Sequence, residues 1–168
     1  LAPTATDNAV SIAEDSGATP SGNVLTDDDG FGVDSDPEDP AEQLVVSAVE
    51  GSADAVGSLV SGDYGLLLGE TDGSYFYSLE NDSGMVQGLV SGETLNDTFS
   101  YTISDGEGGT ASADLVVTIN GTNDAPTLTP ADITATEVEV SGGYSVSSGD
   151  SSLLDGAADV DDLSGDLS

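Results

Sequence analysis

Apolar residues along this chain recur at every second position. Val10 and Ile12 alternate with small polar neighbours, and Tyr75, Tyr77 and Leu79 share one face of an extended segment. Phe99, Tyr101 and Ile103 do the same with Thr98, Ser100 and Thr102 opposite, and Leu115, Val117 and Ile119 repeat the pattern. A period of two is the signature of half-buried strands. Turn signals stand between the runs: Gly62-Asp63, Asp72-Gly73, Asp105-Gly106 with Gly108-Gly109, and Asn120-Gly121. Leu66 to Leu68 and Tyr75 to Tyr77, placed about Asp72-Gly73, read as a hairpin. No window carries helical periodicity; Met85 to Leu89 suits a single turn, but Gly84, Gly88 and Gly92 make a longer helix costly. Short strands between Gly-rich and Asp-rich turns predict an all-β fold, an antiparallel sandwich. Tyr64, Tyr75, Phe76, Tyr77, Phe99, Tyr101 and Phe31 are expected to supply most of the bulk of its core.

Composition then narrows the chemistry. The 168 residues include 33 Asp plus Glu and no Lys, Arg, His or Cys, for a net charge of −33 at pH 7. Side-chain salt bridges cannot form, and self-repulsion has to be relieved by ions outside the polypeptide. Nucleic acid is not an expected partner, because a phosphate backbone is bound through Lys and Arg, and an anionic membrane surface makes the same demand. No apolar run approaches a membrane span, so direct membrane insertion is not expected. Leu1-Ala2-Pro3 lacks the basic start of a secretion signal, so the chain is expected to be an excerpt or a processed product. Serine–histidine and cysteine–histidine pairs, Schiff bases and imidazole-bound zinc are all excluded by the missing residue types.

Asn123-Asp124-Ala125-Pro126 marks a boundary, since an Asn-Asp turn followed by Pro ends one strand and starts a new extended segment. Residues 1–125 are thus expected to form one sandwich and 126–168 the beginning of a following repeat, or a strand-donating segment. Leu153-Leu154-Asp155-Gly156 with Asp159, Asp161 and Asp162 echoes Val24-Leu25-Thr26-Asp27 with Asp34 and Asp36.

Five blocks in order carry a family resemblance: Gly22 to Asp29, Asp72 to Tyr77, Val86 to Glu93, Phe99 to Gly106 and Gly121 to Pro126. Over residues 3 to 126 the chain resembles the VCBS repeat, a cadherin-like bacterial module; 127–168 resembles the opening of another unit. The resemblance implies a cadherin- or immunoglobulin-like sandwich, extracellular and secreted to the cell surface. Such repeats are arrayed in large adhesins of the RTX type and in biofilm matrix proteins. It also implies calcium dependence, with Glu14-Asp15, Asp105 with Glu107, and Asn123-Asp124 converging at a domain junction. The glycine-aspartate nonapeptides of RTX β-rolls are absent; Gly106-Glu107-Gly108-Gly109-Thr110 does not supply them.

Calcium can be argued from the residues as well. Ca²⁺ takes six to eight hard oxygen ligands, and Asp-rich turns offer them. Asp27, Asp28, Asp29, Asp34, Asp36, Glu38 and Asp39 form the densest cluster, and Asp34-x-Asp36 projects both carboxylates alike if extended. The loop lacks the EF-hand spacing. Asp155, Asp159, Asp161 and Asp162 would repeat this set in the following unit. The alternative for every cluster is a solvated acidic loop.

Asp15-Ser16-Gly17 and Asp82-Ser83-Gly84 match the aspartic-protease tripeptide, but Ala13-Glu14 and Glu80-Asn81 precede them where apolar strands would have to wall a dry cleft. No carboxylate pair stands out for glycoside hydrolysis, and aromatics for a sugar platform are few. The chain therefore reads as non-catalytic. Three structural roles fit: a calcium-stiffened spacer between neighbouring repeats, a filament subunit whose residues 127–168 pair with another copy, or a calcium-dependent carbohydrate-binding module. Partners are accordingly adjacent repeats of the same protein or further copies, with a cell-surface or glycan target met through other domains.

Overall fold

The computed structural model describes residues 1–37 and 44–125, together with the backbone of Thr127–Leu128 and Ala157–Ala158. Eight strands follow in order: β1 (Asn8–Ala13), β2 (Ser21–Asn23), β3 (Val45–Val49), β4 (Leu59–Ser61), β5 (Gly65–Gly69), β6 (Ser74–Leu79), β7 (Thr94–Ser104) and β8 (Thr110–Asn120). A single 3-10 turn at Ala53–Ala55 lies between β3 and β4. These elements belong to a compact unit spanning Leu1–Thr122; a second unit, Asn123–Ser168, holds a short antiparallel ladder of β9 (Thr127–Leu128) with β10 (Ala157–Ala158).

The first unit is a two-sheet sandwich, with strand orders β1-β8-β7-β3 and β2-β6-β5-β4. The anticipated hairpin is β5–β6, paired from Gly65↔Leu79 to Gly69↔Tyr75 about the Asp72-Gly73 turn, where Gly73 adopts φ 85. The expected antiparallel arrangement has one exception: β1 runs parallel to β8, from Asn8↔Leu115 to Ala13↔Asn120. Parallel pairing has a spatial consequence. β7 and β8 are 11 residues each and span roughly 35 Å. The chain enters beside the β7–β8 turn and leaves past Asn120 at the far end, so entry and exit lie at opposite poles.

Period-two alternation explains the core. Phe99, Tyr101 and Ile103 of β7 and Leu115, Val117 and Ile119 of β8 face inward, against Leu67, Tyr75 and Tyr77 of the opposite sheet. Tyr77 and Phe99 meet edge to face, with ring centroids 6.0 Å apart. Two of the expected core aromatics are not in it: Phe31 is 59% and Phe76 39% exposed. Phe76 sits between Tyr75 and Tyr77 and must point to the other face of β6. Phe31 lies between Gly30 and Gly32, both at positive φ, in a loop that turns it outward. The anticipated turn at Met85 to Leu89 starts earlier, with the Gln87 N–H donating to the Ser83 carbonyl oxygen at 3.0 Å.

One buried carboxylate organises the core's lower end. Asp97 of β7, 2% exposed, accepts the N–H groups of Asp63 and Tyr64 at 3.0 and 3.1 Å and the Tyr77 hydroxyl at 2.8 Å. It thereby holds the β4–β5 turn against β7. Gly62 permits the close approach, because a Cβ there would run into the Asp97 carboxylate and the Phe99 ring. Replacing Asp97 by Ala strands the Tyr77 hydroxyl and the two partly buried N–H groups and is expected to destabilise the sandwich by about 3 kcal/mol, against about 1 kcal/mol for Tyr77→Phe. Urea unfolding of the two variants measures both; equal costs would mean that Asp97 is not the common acceptor.

Candidate functional site

At the upper pole, beside the β7–β8 turn, the loop that follows β2 folds over the entering chain. Val24 and Leu25 are buried and anchor its start, and Thr4 and Ser35 exchange backbone hydrogen bonds of 2.7 and 3.0 Å at its end. That bridge turns Asp34 inward, to 8% exposure. Its Oδ1 accepts the Thr6 N–H at 2.7 Å and the Thr6 hydroxyl at 3.0 Å. The Tyr101 hydroxyl, 3.4 Å from Asp34 Oδ2, donates to the Thr6 carbonyl oxygen at 2.6 Å. Asn8, 1% exposed, donates through Nδ2 to the Tyr101 hydroxyl and to the Val24 carbonyl oxygen. Burial pushes the Asp34 carboxyl above its ordinary range, and the Thr6 and Tyr101 hydrogen bonds offset only part of that rise. Burial and then the Asp34 charge push the Tyr101 phenol up as well.

The other acidic residues of this loop spend their oxygens locally. Asp27 accepts the Asn23 N–H at 2.7 Å, Asp28 accepts those of Gly30 and Gly32 at 3.1 Å each, and Asp29 accepts that of Ala9 at 3.1 Å. Burial, then the charges of Asp29 and Asp27, carry the Tyr75 phenol to about 12. Asp36 is half-buried. In the adjacent β7–β8 turn, Asp105 is 7% exposed and accepts the N–H groups of Glu107 and Gly109 at 2.8 and 2.9 Å. Burial alone would raise the Asp105 carboxyl, but backbone N–H bonds from Glu107, Gly109 and Gly108 hold it below the usual range. Glu107 itself is exposed.

The lower pole is built where β1 ends. Glu14, 1% exposed, donates its N–H to the Asn120 carbonyl oxygen at 3.0 Å and accepts the Thr122 N–H on Oε1 at 2.6 Å. Asp15 takes a left-handed φ of 58 and is clasped by two amides. Its N–H donates to Asn81 Oδ1 at 2.9 Å, and its Oδ1 accepts the Asn81 amide and Gln87 Nε2, the latter at 3.0 Å. Asn81 and Gln87 carry no charge and left no mark as site residues in the sequence. Only Gln87's place in the Val86-Gln87-Gly88 block pointed toward it. Asp15 and Asp82 of the two Asp-Ser-Gly tripeptides are both exposed, which is not the setting of a carboxylate dyad.

Glu14 and Asp15 sit at one pole of the sandwich and Asp105 and Glu107 at the other, separated by the length of β8, so within one module these four do not meet. Nor does Asp27, Asp28, Asp29, Asp34 and Asp36 make a compact ligand set: among the described residues, no three acidic side chains come together as a metal-holding group. Asp27, Asp28, Asp29 and Asp34 each turn an oxygen toward a different backbone N–H instead. Asn123 is exposed and Asp124 half-buried at the start of the second unit. Glu38, Asp39, Asp155, Asp159, Asp161 and Asp162 lie outside the described residues. The all-oxygen donors suit a hard cation.

The two shifted carboxylates give opposite pH signatures. Asp34, raised in the folded state, contributes stability that is full below the unfolded pKa and lost as pH rises through the folded one; Asp105, lowered, contributes stability above the unfolded pKa that is lost as pH falls. In chelator, Asp34→Asn is therefore expected to gain stability relative to the parent as pH rises from about 3 to 7, and Asp105→Asn to lose it over the same range. Melting curves of both variants across that range check the signs; parallel profiles would refute the assignment.

No curated protein matches this chain. The family model for the bacterial cadherin-like domain matches residues 1–121, which is the sandwich from the entering segment through the end of β8. Domains of this family are typically non-catalytic structural modules of extracellular repeats and generally bind calcium. No helix among the described residues is long and apolar enough to cross a membrane. Residues 1–121 carry both the alternating core and the polar poles, and through them the chain belongs to the bacterial cadherin-like domain family.

Proposed function

We propose that this chain is a calcium-stiffened spacer module of a bacterial surface adhesin or biofilm matrix protein, secreted and non-catalytic. The observation that carries the reading is the parallel β1–β8 pair, which puts chain entry and exit at opposite poles with carboxylates at each. Modules joined through such ends extend the chain by about 35 Å each. Abutting poles would bring acidic groups of two modules together without a single basic side chain. A bridging Ca²⁺ removes that repulsion and completes its oxygen shell from both sides: Glu14 and Asp15 from one module, Asp105 and Glu107 from the next. Residues 126–168 are read as the start of that next repeat, and adjacent repeats as the principal partners. Without the ion, the joint loosens while the sandwich core persists.

The alternative of a filament built by strand donation requires residues 127–168 to pair with another copy. Thr127–Leu128 instead pairs with Ala157–Ala158 of the same chain, so we do not favour it.

Thermal unfolding and small-angle scattering of two copies of residues 1–125 joined in tandem test the spacer. With millimolar Ca²⁺ the pair is expected to lengthen and to melt at least about 5 °C higher than in matched Mg²⁺, because ion binding is linked to the ordered junction. Glu14→Gln in the leading module should remove most of this gain and leave each sandwich folded. An identical response to Ca²⁺ and Mg²⁺ would reduce the carboxylates to a solvation shell and defeat the proposal.

A further inference from the structure

β3 covers only the upper part of its neighbour. It pairs with β7 from Tyr101 to Ser104 and then stops. One residue closes the ladder: the Glu50 N–H donates to the Ser100 carbonyl oxygen at 2.8 Å, and the Ser100 N–H donates to Glu50 Oε1 at 2.6 Å. The carboxylate thus takes the place of a strand carbonyl, while the left-handed φ of 49 at Glu50 turns the chain away. Below Ser100, no strand among the described residues pairs with β7 on that side.

Ser100 directs its N–H and carbonyl away from β8, so Thr98, Asn96 and Thr94, two residues apart along the same strand, do likewise. All three are exposed. Exposed edges are ordinarily guarded by Lys, Pro, a bulge or an inward charge. Thr94-Leu95-Asn96-Asp97-Thr98 has no Lys, Pro or bulge, and its one charge, Asp97, is consumed in the core by three hydrogen bonds. A neutral, β-branched edge therefore survives in a chain of net charge −33.

We propose that this edge of β7 docks an extended basic strand from another protein, by β-augmentation. Charge selects the occupant. Exposed Glu50 stands at the upper end of the open segment and exposed Glu93 at the lower. A second copy paired antiparallel about Asn96 would set Glu93 of each chain toward Glu50 of the other, with no basic side chain in either. A strand with Lys or Arg flanking a short uncharged, β-branched stretch meets both carboxylates with opposite charge. Its backbone supplies the acceptors and donors that Thr94, Asn96 and Thr98 lack. The inference is independent of the calcium reading.

The test uses the full ¹⁵N-labelled chain and the peptide Lys-Thr-Val-Thr-Val-Thr-Lys, in about 0.15 M salt so that long-range attraction is screened. Amide exchange at Asn96 and Thr98 is expected to slow by roughly tenfold or more at saturation, as for newly paired strand amides. Glu50→Gln combined with Glu93→Gln should weaken binding by about fivefold. Thr98→Pro should abolish it while the melting temperature stays near the parent's, since that N–H serves no bond within the sandwich. A peptide N-methylated at alternate amides keeps the charge and loses the ladder. If it binds equally well, or if millimolar parent peptide leaves exchange unchanged, the proposal fails. It fails too if the free chain already protects these amides, which would show the edge taken by a second copy or by the chain itself.

Discussion

The constraint on which this fold depends is that its carboxylates have only backbone and neutral side-chain donors to turn to. With 33 acidic residues and no basic one, an acidic group drawn inward cannot be neutralised by a basic side chain. Each one found at a structural position accepts N–H or O–H hydrogen bonds instead, which are stronger to an anion than to a neutral acceptor. Asp34 ties the entering chain to the loop after β2, and Asp97 ties the β4–β5 turn to β7. Glu14 fastens the end of β1 to the residues leaving β8. Tight turns are therefore held by anions, where other proteins would use ion pairs.

This economy explains why a dense acidic stretch is not by itself a metal site. Asp27, Asp28 and Asp29 are consecutive, yet each has turned an oxygen to a different amide. An ion binding there competes for the remaining lone pairs or completes its shell from another module. The same economy leaves net repulsion unrelieved at long range. Stability should consequently respond to ionic strength over the whole surface, with specific ions acting where carboxylates from two poles are forced together.

Much of the sandwich could be read along the chain. The alternation in Phe99 to Ile103 and Leu115 to Ile119 predicted which side chains are buried, and Asp72-Gly73 located the β5–β6 hairpin, because a strand's pleat and a turn's φ requirement are local properties. Phe76 shows the limit of counting aromatics without parity: its neighbours Tyr75 and Tyr77 claim the inner face, so its own bulk lies outside. Candidate site residues were legible as chemistry but not as groupings. That Glu14 and Asp15 lie at one pole and Asp105 and Glu107 at the other, a β8 length apart, became visible only in the strand pairing. Asn81 and Gln87 could not be read as the partners that clasp Asp15, because a neutral amide has no signature of its partner until that partner is in place.

By itself, then, the sequence determined an all-β module with a modest aromatic core, oxygen-only ligands for a cation and the bacterial cadherin-like family. The first three follow from side-chain type and from a two-residue period and the family from five short blocks in order, none of which requires distant parts of the chain to meet. Tertiary structure alone decided that β1 runs parallel to β8, and hence that the chain enters and leaves at opposite ends. It also decided that Asp34 faces Tyr101, that Asp97 gathers three donors from one strand and a turn, and that β7 keeps an open edge below Glu50. Each of these depends on contacts between residues tens of positions apart. Strand pairing and hydrogen-bond partners across such distances are selected by packing of the whole sandwich, and no local pattern encodes them.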